Sequence, residues 1–479
     1  MKTISRRTFL KSSSLTAAGV SLSARSWAQV AGSNSDVRVA VIGFHGRGGD
    51  HIKSLAKADG ARVTALCDVD KDVLAGGVKQ LSGVESYTDI RKLLESKNVD
   101  AVSIATPNHW HSLGAIWAIQ AGKDVYVEKP VSHNVSEGRR LVEFARKYDK
   151  MVQTGTQSRS SITGLKAAVA WVREGNLGKI KVARGLCYKP RGSIGKVDGP
   201  QPIPANIDYD LWCGPALKLP LMRKRLHYDW HWVWNTGCGD LGNQGIHEMD
   251  VARWFLGVME LSPRVFAVGG RLGYVDDGET PNTMVIYHDY PGAPIIFEVR
   301  GLPSKSGAKE MDVYKGLRSG VGVSIECEAG QVAISSYGAA TVYDKEGQVI
   351  KEFKGAQDHH ENWLKAVRNR KRETLNADIL EGHLSSALCH TGNISYRIGA
   401  TKPPGEIKEA IKSDKGLAEG FDRMSEHLAA NGVDITKDQV TLGQPLKMTP
   451  ATERFLDNAQ ANALLTRPYR APYIVPEKA

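Results

Sequence analysis

The sequence predicts an α/β protein in which a doubly wound parallel sheet is followed by an α+β domain with an open, mainly antiparallel sheet. Three observations carry this prediction. Short apolar runs alternate with helical stretches between residues 36 and 155, which is the order expected of βαβ units. A glycine-rich loop directly follows the first of these runs. Beyond residue 155 the apolar runs are β-rich and are separated by glycine and proline, a pattern typical of antiparallel strands joined by turns.

The first half of the chain contains five apolar runs suited to buried parallel strands and four intervening stretches suited to helices. A sheet of this kind binds its ligand at the carboxyl ends of its strands. The predicted strands are 37–42, 61–67, 101–105, 124–127 and 151–154, and the predicted helices are 51–58, 88–94, 111–120 and 136–148.

A glycine-rich loop joins the first predicted strand to the first predicted helix. Glycines there let the backbone turn tightly and approach a pyrophosphate at a helix N-terminus, where free N–H groups and the helix dipole favour anions. Asp68 ends the second predicted strand, about 20 residues further on, where an acid accepts the ribose 2′-hydroxyl of a Rossmann-type domain. Its carboxylate would repel a 2′-phosphate and no arginine adjoins it, so NAD is predicted in preference to NADP. The loop reads Gly43-Phe44-His45-Gly46-Arg47-Gly48-Gly49.

Two further motifs follow later strands: Thr106-Pro107-Asn108 with His111, and then Glu128-Lys129-Pro130. Together with the glycine loop, they resemble the glucose–fructose oxidoreductase/inositol dehydrogenase (Gfo/Idh/MocA) family. The resemblance covers nearly all of the chain beyond residue 31. It implies that the Thr-Pro turn lies along the cofactor, and that Lys129 sits at the nicotinamide and touches the substrate hydroxyl.

The expected cofactor contacts come from these loops and from Asp68. His45 stands where the dinucleotide fingerprint has its second glycine, and Gly46 is the residue that would take over that role. His111 has a second interpretation, as a helix cap. The expected cofactor-binding residues are Gly43, His45, Gly46, Arg47, Gly48, Asp68, Thr106, Pro107, Asn108, His111, Glu128 and Lys129.

Residues 243–250 have a helical pattern, and Asn243 and His247, four positions apart, would share one side of that helix. The segment resembles the family's Asp-x-Gly-x-His helix, which implies that His247 takes the substrate hydroxyl proton and that Asn243 replaces the assisting aspartate. A neutral amide can orient an imidazole but supplies no charge, so either the pKa of the base is lower, or Asp240 or Asp250 supplies the carboxylate. The alternative for His247 is a satisfied core histidine. The expected catalytic residues are Lys129, His247 and Asn243.

Trp230, Trp232 and Trp234 repeat at period two, so an extended segment would present one aromatic face, with His231 on the other. Such a face stacks sugar rings or packs in a domain core, and both interpretations stay open. The expected substrate-binding residues are Gln157, Arg159, Trp230, His231 and Asp240.

The N-terminal segment Ser5-Arg6-Arg7-Thr8-Phe9-Leu10-Lys11 is typical of a twin-arginine signal, which directs folded proteins to export. A mildly apolar run and the small-x-small site Ser26-Trp27-Ala28 follow it. Residues 1–31 are therefore predicted to be a signal peptide read by the twin-arginine machinery, and the protein is predicted to be periplasmic or otherwise exported. The alternative is a plain unstructured N-terminus. Free NAD is scarce outside the cytoplasm, so an exported enzyme would have to keep its cofactor or regenerate it in place.

Composition and charge argue against several classes of function and of site. Without the five basic residues of the first 31, the formal charge falls from +11 to +6; with no basic run interleaved with aromatics, this argues against nucleic-acid binding. No apolar run reaches the ~18 residues of a membrane span. The six cysteines form no C-x-x-C pair, so we expect neither a disulfide framework nor a cysteine metal site. His359 and His360 are adjacent and would point ~100° apart on a helix, which favours a structural role, and no metal is expected.

The second half contains β-rich runs at 180–186, 265–272, 283–288, 295–299 and 323–327, and helical patterns from residue 359 to 370 and at 379–398. From residue 401 the chain is polar and rich in helix breakers, and it ends in an aromatic, proline-containing tail that is expected to dock on the core, at the substrate cleft or at an oligomer seam. The predicted divisions are 36–156 for the dinucleotide domain, 157–400 for substrate and oligomerisation, and 401–479 for an extension on the core. A homo-oligomer is expected.

These expectations combine into one leading function and two alternatives. The leading function is an exported NAD-dependent oxidoreductase of a sugar, glycoside or polyol, in which Lys129 polarises the reacting hydroxyl and His247 accepts its proton. The first alternative is NAD-assisted glycoside cleavage through transient oxidation and elimination. The second is a non-catalytic sugar-binding protein with a vestigial nucleotide pocket, which Asn243 and His45 would favour.

Overall fold

The computed structural model describes residues 36–437 and 440–479; the predicted signal at 1–31 lies outside the described residues. The first domain is a parallel sheet with order β3-β2-β1-β4-β5-β6, so the strand order reverses between β1 and β4. Its strands are β1 Val37–Ile42, β2 Ala61–Cys67, β3 Glu85–Tyr87, β4 Ala101–Ile104, β5 Asp124–Val127 and β6 Val152–Thr154, and its helices are α1 Arg47–Leu55, α2 Lys71–Gln80, α3 Ile90–Leu94, α4 His111–Gln120 and α5 Val135–Lys147.

The strands of this sheet are apolar on both faces, because helices cover both sides. Along β1, Val39 and Val41 face α1, whereas Ala40 and Ile42 face the side of α4 and α5. Far along the sequence, α10 (His359–Asn369) returns to the α1 side and inserts the fully buried Trp363. The first domain is thus completed by a helix from the second half of the chain.

The second domain contains a larger mixed sheet with order β14-β13-β12-β11-β7-β10-β9-β8-β16-β15, with β17 and β18 at its side. β7 and β10 pair in parallel, while the other neighbours are antiparallel. The strands are β7 Ile180–Tyr188, β8 Arg264–Gly270, β9 Thr283–His288, β10 Ile295–Arg300, β11 Val321–Cys327, β12 Gly330–Ser336, β13 Ala339–Asp344, β14 Val349–Lys354, β15 Ala400–Lys402, β16 Val440–Leu442, β17 Leu446–Thr449 and β18 Arg454–Phe455.

Helices cover both faces of this sheet. One face carries α9 (Gly245–Leu256) and α11 (Ile379–Arg397), and α11 also packs on α5 of the first domain, so it joins the two domains. The other face carries α12 (Pro404–Ile411) and α13 (Lys415–Ala430). The remaining helices are α6 Ala167–Arg173, α7 Tyr209–Cys213, α8 Gly239–Asn243 and α14 Ala459–Ala463.

The connection from β7 to α8, residues 189–236, is long and contains α7. It crosses from the second domain to the first, where Asp70 and Ile207 form an isolated antiparallel bridge. We call this connection the strap.

The predicted fold class is confirmed: a parallel Rossmann sheet precedes a mixed, mostly antiparallel sheet. The sequence interpretation missed α2 and β3. It also predicted no helices beyond residue 401, where α12 and α13 lie and pack through Ile407, Ile411, Leu417 and Phe421. All six cysteines are free and buried. None of the helices in the described part of the chain is at once long and apolar enough to traverse a bilayer.

Candidate active site

A cavity of about 430 Å³ lies where the loops following β1, β2, β4 and β5 meet the strap and the end of α8. The carboxyl ends of parallel strands are where such sheets bind ligands. The cavity extends from the glycine loop and Asp68 at one side to Lys129 and Asn243 at the other, so it spans both domains.

The glycine loop approaches its neighbours too closely for side chains at two positions. Gly43 has a φ of +75°, and a Cβ there would lie 2.8 Å from the Thr106 Cα. A Cβ on Gly48 would lie 2.1 Å from the Gly43 carbonyl oxygen. Helix α1 begins at Arg47, and no side chain caps its first turn. Because His45 and Gly46 are exposed, the uncapped N–H groups at the start of this helix are accessible to an anion.

Asp68 lies at the end of β2, beside this loop. Its carboxylate accepts hydrogen bonds from the Phe44 N–H at 2.9 Å and the Asp70 N–H at 3.0 Å. Each oxygen retains a further lone pair on the cavity side, since Asp68 lines the cavity. Burial raises the pKa of the Asp68 carboxyl, although the two backbone N–H groups oppose the shift.

The turn after β4 borders the cavity next to the glycine loop. Thr106 Oγ1 and Asn108 Oδ1 are buried without a hydrogen-bond partner among the described residues, and both residues line the cavity. His111 lies behind this turn, with Nδ1 2.6 Å from the Pro130 carbonyl and Nε2 2.8 Å from the Thr106 carbonyl. The ring thus lies between two cavity loops. Burial lowers its pKa, and the neutral ring has one N–H, which can be donated to one of the two carbonyls.

These features fit a dinucleotide. The glycine loop and open helix N-terminus suit a pyrophosphate, and Asp68 suits a ribose hydroxyl pair. The expected cofactor residues from Gly43 to Lys129 all line this cavity, with the exception of Gly48, whose role is the close packing described above.

Glu128 is buried under the cavity floor and is surrounded by donors. His51 Nε2 lies 3.1 Å, Arg47 Nε 3.2 Å and Gln157 Nε2 3.4 Å from its Oε1, and Oε2 accepts from the Lys129 N–H. His51 and the cationic neighbours Lys129 and Arg47 hold its pKa well below the usual glutamate range, against the effect of burial. A carboxylate fixed in this way orients the loop that carries Lys129.

Lys129 points from the first domain towards the second. Its Nζ donates to the Asn243 carbonyl at 2.9 Å, which leaves two N–H donors for other partners. Burial lowers the pKa of this ammonium, and the charges of Arg47 and Lys189 add to that effect, whereas Glu128 and Glu248 oppose it.

The Asn243 side chain contacts a charged pair instead of His247. Its Nδ2 donates to Asp240 Oδ1 at 3.3 Å, and Arg191 binds both oxygens of Asp240, at 2.7 and 2.9 Å. The prediction that one helix carries Asn243 and His247 was wrong, because α8 ends at Asn243 and α9 begins at Gly245. Asp240 is held by Arg191 beside Asn243 and does not line the main cavity.

His247 is buried beside Tyr337 of the β12–β13 turn, with ring centroids 4.8 Å apart. Its Nδ1 has no hydrogen-bond partner among the described residues. Burial and the Lys129 charge lower its pKa to about 3, so the imidazole is neutral at neutral pH. Glu248 follows it, with Oε1 bonded to Gln244 and a buried Oε2 that no described residue bonds; burial raises its pKa to about 8.

The tryptophan repeat does not form one aromatic face, which corrects the extended interpretation. Residues Asp229–Trp232 form a 3₁₀ turn, so successive side chains rotate by a third of a turn. Trp230 stacks on His231 at 3.6 Å between centroids, and both line the cavity. Trp232 instead packs under Arg191, and Trp234 under Arg397.

Two other expected substrate contacts lie elsewhere. Arg159 is buried, with Nε 2.8 Å from Asp250 and Nη2 3.0 Å from Glu381, so its guanidinium is committed to an ion-pair network. This also commits Asp250 and removes it as a carboxylate for His247. Gln157 bonds to Glu128 and to the Tyr126 hydroxyl, behind the cavity.

The adjacent histidines of α10 have structural partners. His359 bonds to the Ser160 hydroxyl and the Thr154 carbonyl, and His360 stacks on Tyr126. Residues 36–437 and 440–479 contain no group of three or more His, Cys, Asp or Glu side chains that could hold a metal ion.

Sequence reasoning missed four of the six strap residues that line the cavity, and it missed the neighbours of His247. Leu211, Trp212, His227 and Tyr228 line the cavity, and Tyr337 contacts His247 from a distant hairpin. Among the neighbours of His247, only Glu248 could have been found from the local sequence, because it directly follows His247.

The fold and this cavity define a dinucleotide-binding protein of two domains, with an NAD-binding Rossmann domain first. Residues 37–156 match the model of the Gfo/Idh/MocA oxidoreductase family with an NAD-binding Rossmann fold, and residues 160–322 match the C-terminal alpha/beta domain of that family. The chain belongs to this family.

Similar proteins are dehydrogenases and glycosyl hydrolases. Myo-inositol 2-dehydrogenase of Thermotoga maritima is 28% identical over 262 residues, 54% of this chain and 66% of that protein. Glycosyl hydrolase family 109 protein 2 of Shewanella sp. (strain ANA-3) is 33% identical over 174 residues, 30% of this chain and 38% of that protein. The chain therefore spans less than two thirds of either relative.

Among solved structures, the WlbA dehydrogenase from Bordetella pertussis, in complex with NADH and UDP-GlcNAcA, is similar with a TM-score of 0.55 at 20% identity. The similarity covers 74% of this chain and 94% of that one. At this identity, the likeness supports the fold alone.

Proposed function

We propose that this chain is an exported NAD-dependent oxidoreductase that acts on a CH–OH group of a sugar, glycoside or polyol. The observation that carries the proposal is the position of Lys129, which lines the dinucleotide cavity and binds the second domain through the Asn243 carbonyl. A lysine at this point can hold a substrate hydroxyl between the two domains.

The chain's own residues would bind, orient and deprotonate that hydroxyl. Lys129 keeps two free N–H donors, and its lowered pKa makes it a better hydrogen-bond donor to a hydroxyl that is losing its proton. The family resemblance assigns acceptance of that proton to His247, a neutral imidazole that packs beside Tyr337 and lies outside the cavity lining. A bound nicotinamide would supply the hydride acceptor.

A sugar or polyol fits the character of the neighbouring side chains. Trp230 and His231 present a stacked pair at the cavity wall, and aromatic faces suit the C–H faces of sugar rings. Myo-inositol 2-dehydrogenase, among the relatives, is named for a polyol.

A second candidate is NAD-assisted glycoside cleavage, in which transient oxidation of the carbinol two carbons from the anomeric carbon would acidify the C–H between them, and loss of that proton would expel the glycosidic oxygen. Addition of water and return of the hydride would then complete a net hydrolysis with no net change in NAD. Glu248 favours it, because a carboxyl with a pKa of about 8 is protonated at neutral pH and could donate that proton to the departing oxygen. The glycosyl hydrolase family 109 relative supports the same candidate.

The first test is to purify the protein without added cofactor, denature it and assay the supernatant for NAD and NADH. Panels of polyols, sugars and aryl glycosides are then assayed for NADH formation and for release of the aglycone. NADH formation supports net oxidation, and aglycone release without net NADH supports cleavage. A protein that neither contains nor binds NAD, and turns over neither panel, would refute both candidates.

Lys129→Met tests the role of the lysine. We expect a loss of about 10²–10³-fold in kcat/KM, with NAD binding retained. Lys79→Met, at an exposed position of α2, is the control and should keep full activity. Activity of Lys129→Met within threefold of the parent would remove the lysine from the mechanism.

Export is tested by cell fractionation. The full chain should reach the exported fraction, whereas a variant with both Arg6→Lys and Arg7→Lys should stay in the cytoplasm. Equal distribution of the two would refute the export proposal.

A further inference from the structure

The strap belongs to the second domain by sequence, but it lies on the first domain at the cavity edge. It leaves β7 and returns at α8, and between these points it reaches the loops that follow β2 and β4. Its contacts with the first domain explain why such a long connection follows this path.

At the loop after β2, the strap is tied to residues next to Asp68. The Lys71 N–H donates to the Asn206 carbonyl at 3.0 Å, and Asn206 Nδ2 donates to Asp70 Oδ1 at 2.7 Å. His227 Nε2 lies 3.1 Å from Asp70 Oδ2. Asp70 thus accepts from both parts of the strap, two residues beyond the expected ribose acid.

At the loop after β4, the strap is tied to residues next to the Thr106 turn. Trp110 Nε1 donates to the Leu211 and Trp212 carbonyls, both at 3.1 Å. His109 Nε2 lies 3.0 Å from the same Trp212 carbonyl. The strap therefore spans the cavity from one flanking loop to the other.

The strap also has a hydrophobic interior. Ile207, Trp212, Cys213, Leu221 and Leu226 form a small hydrophobic core of their own, which keeps the crossing chain from collapsing into the cavity. The strap residues that line the cavity are Leu211, Trp212, His227, Tyr228, Trp230 and His231.

The C-terminal tail fastens the strap from outside. Arg470 Nη1 donates to Asp210 Oδ1 at 2.7 Å, and Nη2 donates to the Asp210 and Gly214 carbonyls at 2.9 and 3.0 Å. The Tyr473 hydroxyl donates to Asp210 Oδ2 at 3.1 Å, while its ring packs edge-on against Trp110. One strap residue, Asp210, thus receives both tail side chains.

We propose that the strap is the outer wall of the dinucleotide site, that Leu211, Trp212, His227 and Tyr228 are cofactor-contacting residues, and that Arg470 and Tyr473 hold this wall closed. The inference rests on the proposed NAD dependence. Because the strap bonds to loops on both flanks of the cavity, a dinucleotide leaves only after strap contacts break. Dissociation of the dinucleotide is then slower than it would be from a Rossmann domain whose cofactor site is open to solvent.

The test compares NADH dissociation rates. Protein loaded with NADH is mixed with excess NAD, and the decay of bound NADH fluorescence is followed. In the double variant Arg470→Gln/Tyr473→Phe, which keeps the aromatic ring at position 473, we expect release to be about tenfold faster or more, because the charge-assisted bonds of Arg470 and the hydroxyl bond of Tyr473 are lost. Arg454→Gln, at an exposed tail position, is the control and should match the parent.

A second variant attacks the opposite anchor without touching the tail. Asn206→Ala removes the amide bond to Asp70 and should also speed release. Release rates equal to the parent in both variants would overturn the strap inference while leaving NAD dependence intact. A parent protein that binds no NADH would instead refute the proposed function, and the strap inference with it.

Discussion

Replacing Asn243 with aspartate tests the local electrostatics of the site. In the protein, Asn243 Nδ2 donates to Asp240 Oδ1 at 3.3 Å, and Asp240 is buried in its pair with Arg191. Asn243→Asp would put a second carboxylate at the same distance. Two unit charges 3.3 Å apart repel by ~1 kcal/mol in water and by ~5 kcal/mol at an effective dielectric constant of about 20. The pair would thus acquire an apparent pKa raised by about one to four units.

The sign of the pH dependence follows from that repulsion. Above the raised apparent pKa both carboxyls are ionised in the folded protein, and the variant is less stable than the parent. As the pH falls through the raised pKa towards the ordinary aspartate value, one proton is taken up and the penalty disappears. We therefore expect Asn243→Asp to be destabilised by about 1–5 kcal/mol at pH 8 and to approach the parent near pH 4.

The assay is urea unfolding of Asn243→Asp and the parent at pH 4, 6 and 8. The matched control is Asn243→Ser, which removes the 3.3 Å amide bond to Asp240 without adding a charge, so its difference in stability from the parent should be the same at pH 4 and pH 8. A difference between Asn243→Asp and the parent that does not change with pH would refute the reasoning. In the rate profile, the new carboxylate should raise the pKa of His247 and move the lower limb to higher pH.

Two further predictions concern stability. Glu298 is buried and binds Arg184, Arg300 and Arg423, so Glu298→Gln leaves three cations without their carboxylate and should lower the free energy of unfolding by about 3–5 kcal/mol. The control is Glu419→Gln, which changes an exposed partner of Arg184 and should lower it by less than about 1 kcal/mol. Equal urea midpoints for the two variants would contradict this account. Burial lowers the pKa of several histidines below 6.5, so these side chains bind protons in the unfolded chain at a pH at which they stay neutral in the native protein. Stability should therefore fall as the pH drops from about 6.5 towards 4. An unfolding midpoint that is constant from pH 7.5 to pH 5 would contradict this prediction. These histidines, with pKa values of about 3 or 4, are His109, His231, His247, His288, His359, His360 and His390.

Local patterns predicted five of the six strands of the first sheet. The bounds of β1, β2 and β5 agree with the predicted ones, since each strand is a short apolar run buried on both faces. Helix α2 was missed because two central glycines weaken its pattern, yet Asp70 caps it by accepting the Asp72 and Val73 N–H groups. The cap, which satisfies free donors at the first turn, was the stronger signal.

The second sheet shows where local patterns fail. The parallel pairing of β7 with β10 joins residues more than a hundred positions apart, and no short pattern encodes it. Helices α12 and α13 carry apolar residues at helical spacing, but surrounding polar and breaker residues obscured them. Their stability comes from the sheet face on which Ile407 and Phe421 are buried, which is a tertiary contribution.

The candidate site, like the two sheets, was only partly predictable from local sequence patterns. The glycine loop, Asp68 and Lys129 come together because they follow strands of one sheet, which the sequence order predicts. Tyr337 and the strap residues reach the site from distant segments, and Arg159 is drawn into an ion-pair network with Asp250 and Glu381. Neither outcome has a local signal.

The amide at position 243 fits the charge already present in the site. Asp240, paired with Arg191, supplies one carboxylate next to Asn243, while the Asn243 backbone carbonyl holds the Lys129 ammonium. A second carboxylate would compete with Asp240 for Arg191 and would draw the lysine towards an ion pair, which lowers its availability to a substrate hydroxyl. A neutral side chain at 243 therefore keeps Lys129 free to donate, and it is compatible with catalysis rather than evidence of a vestigial site.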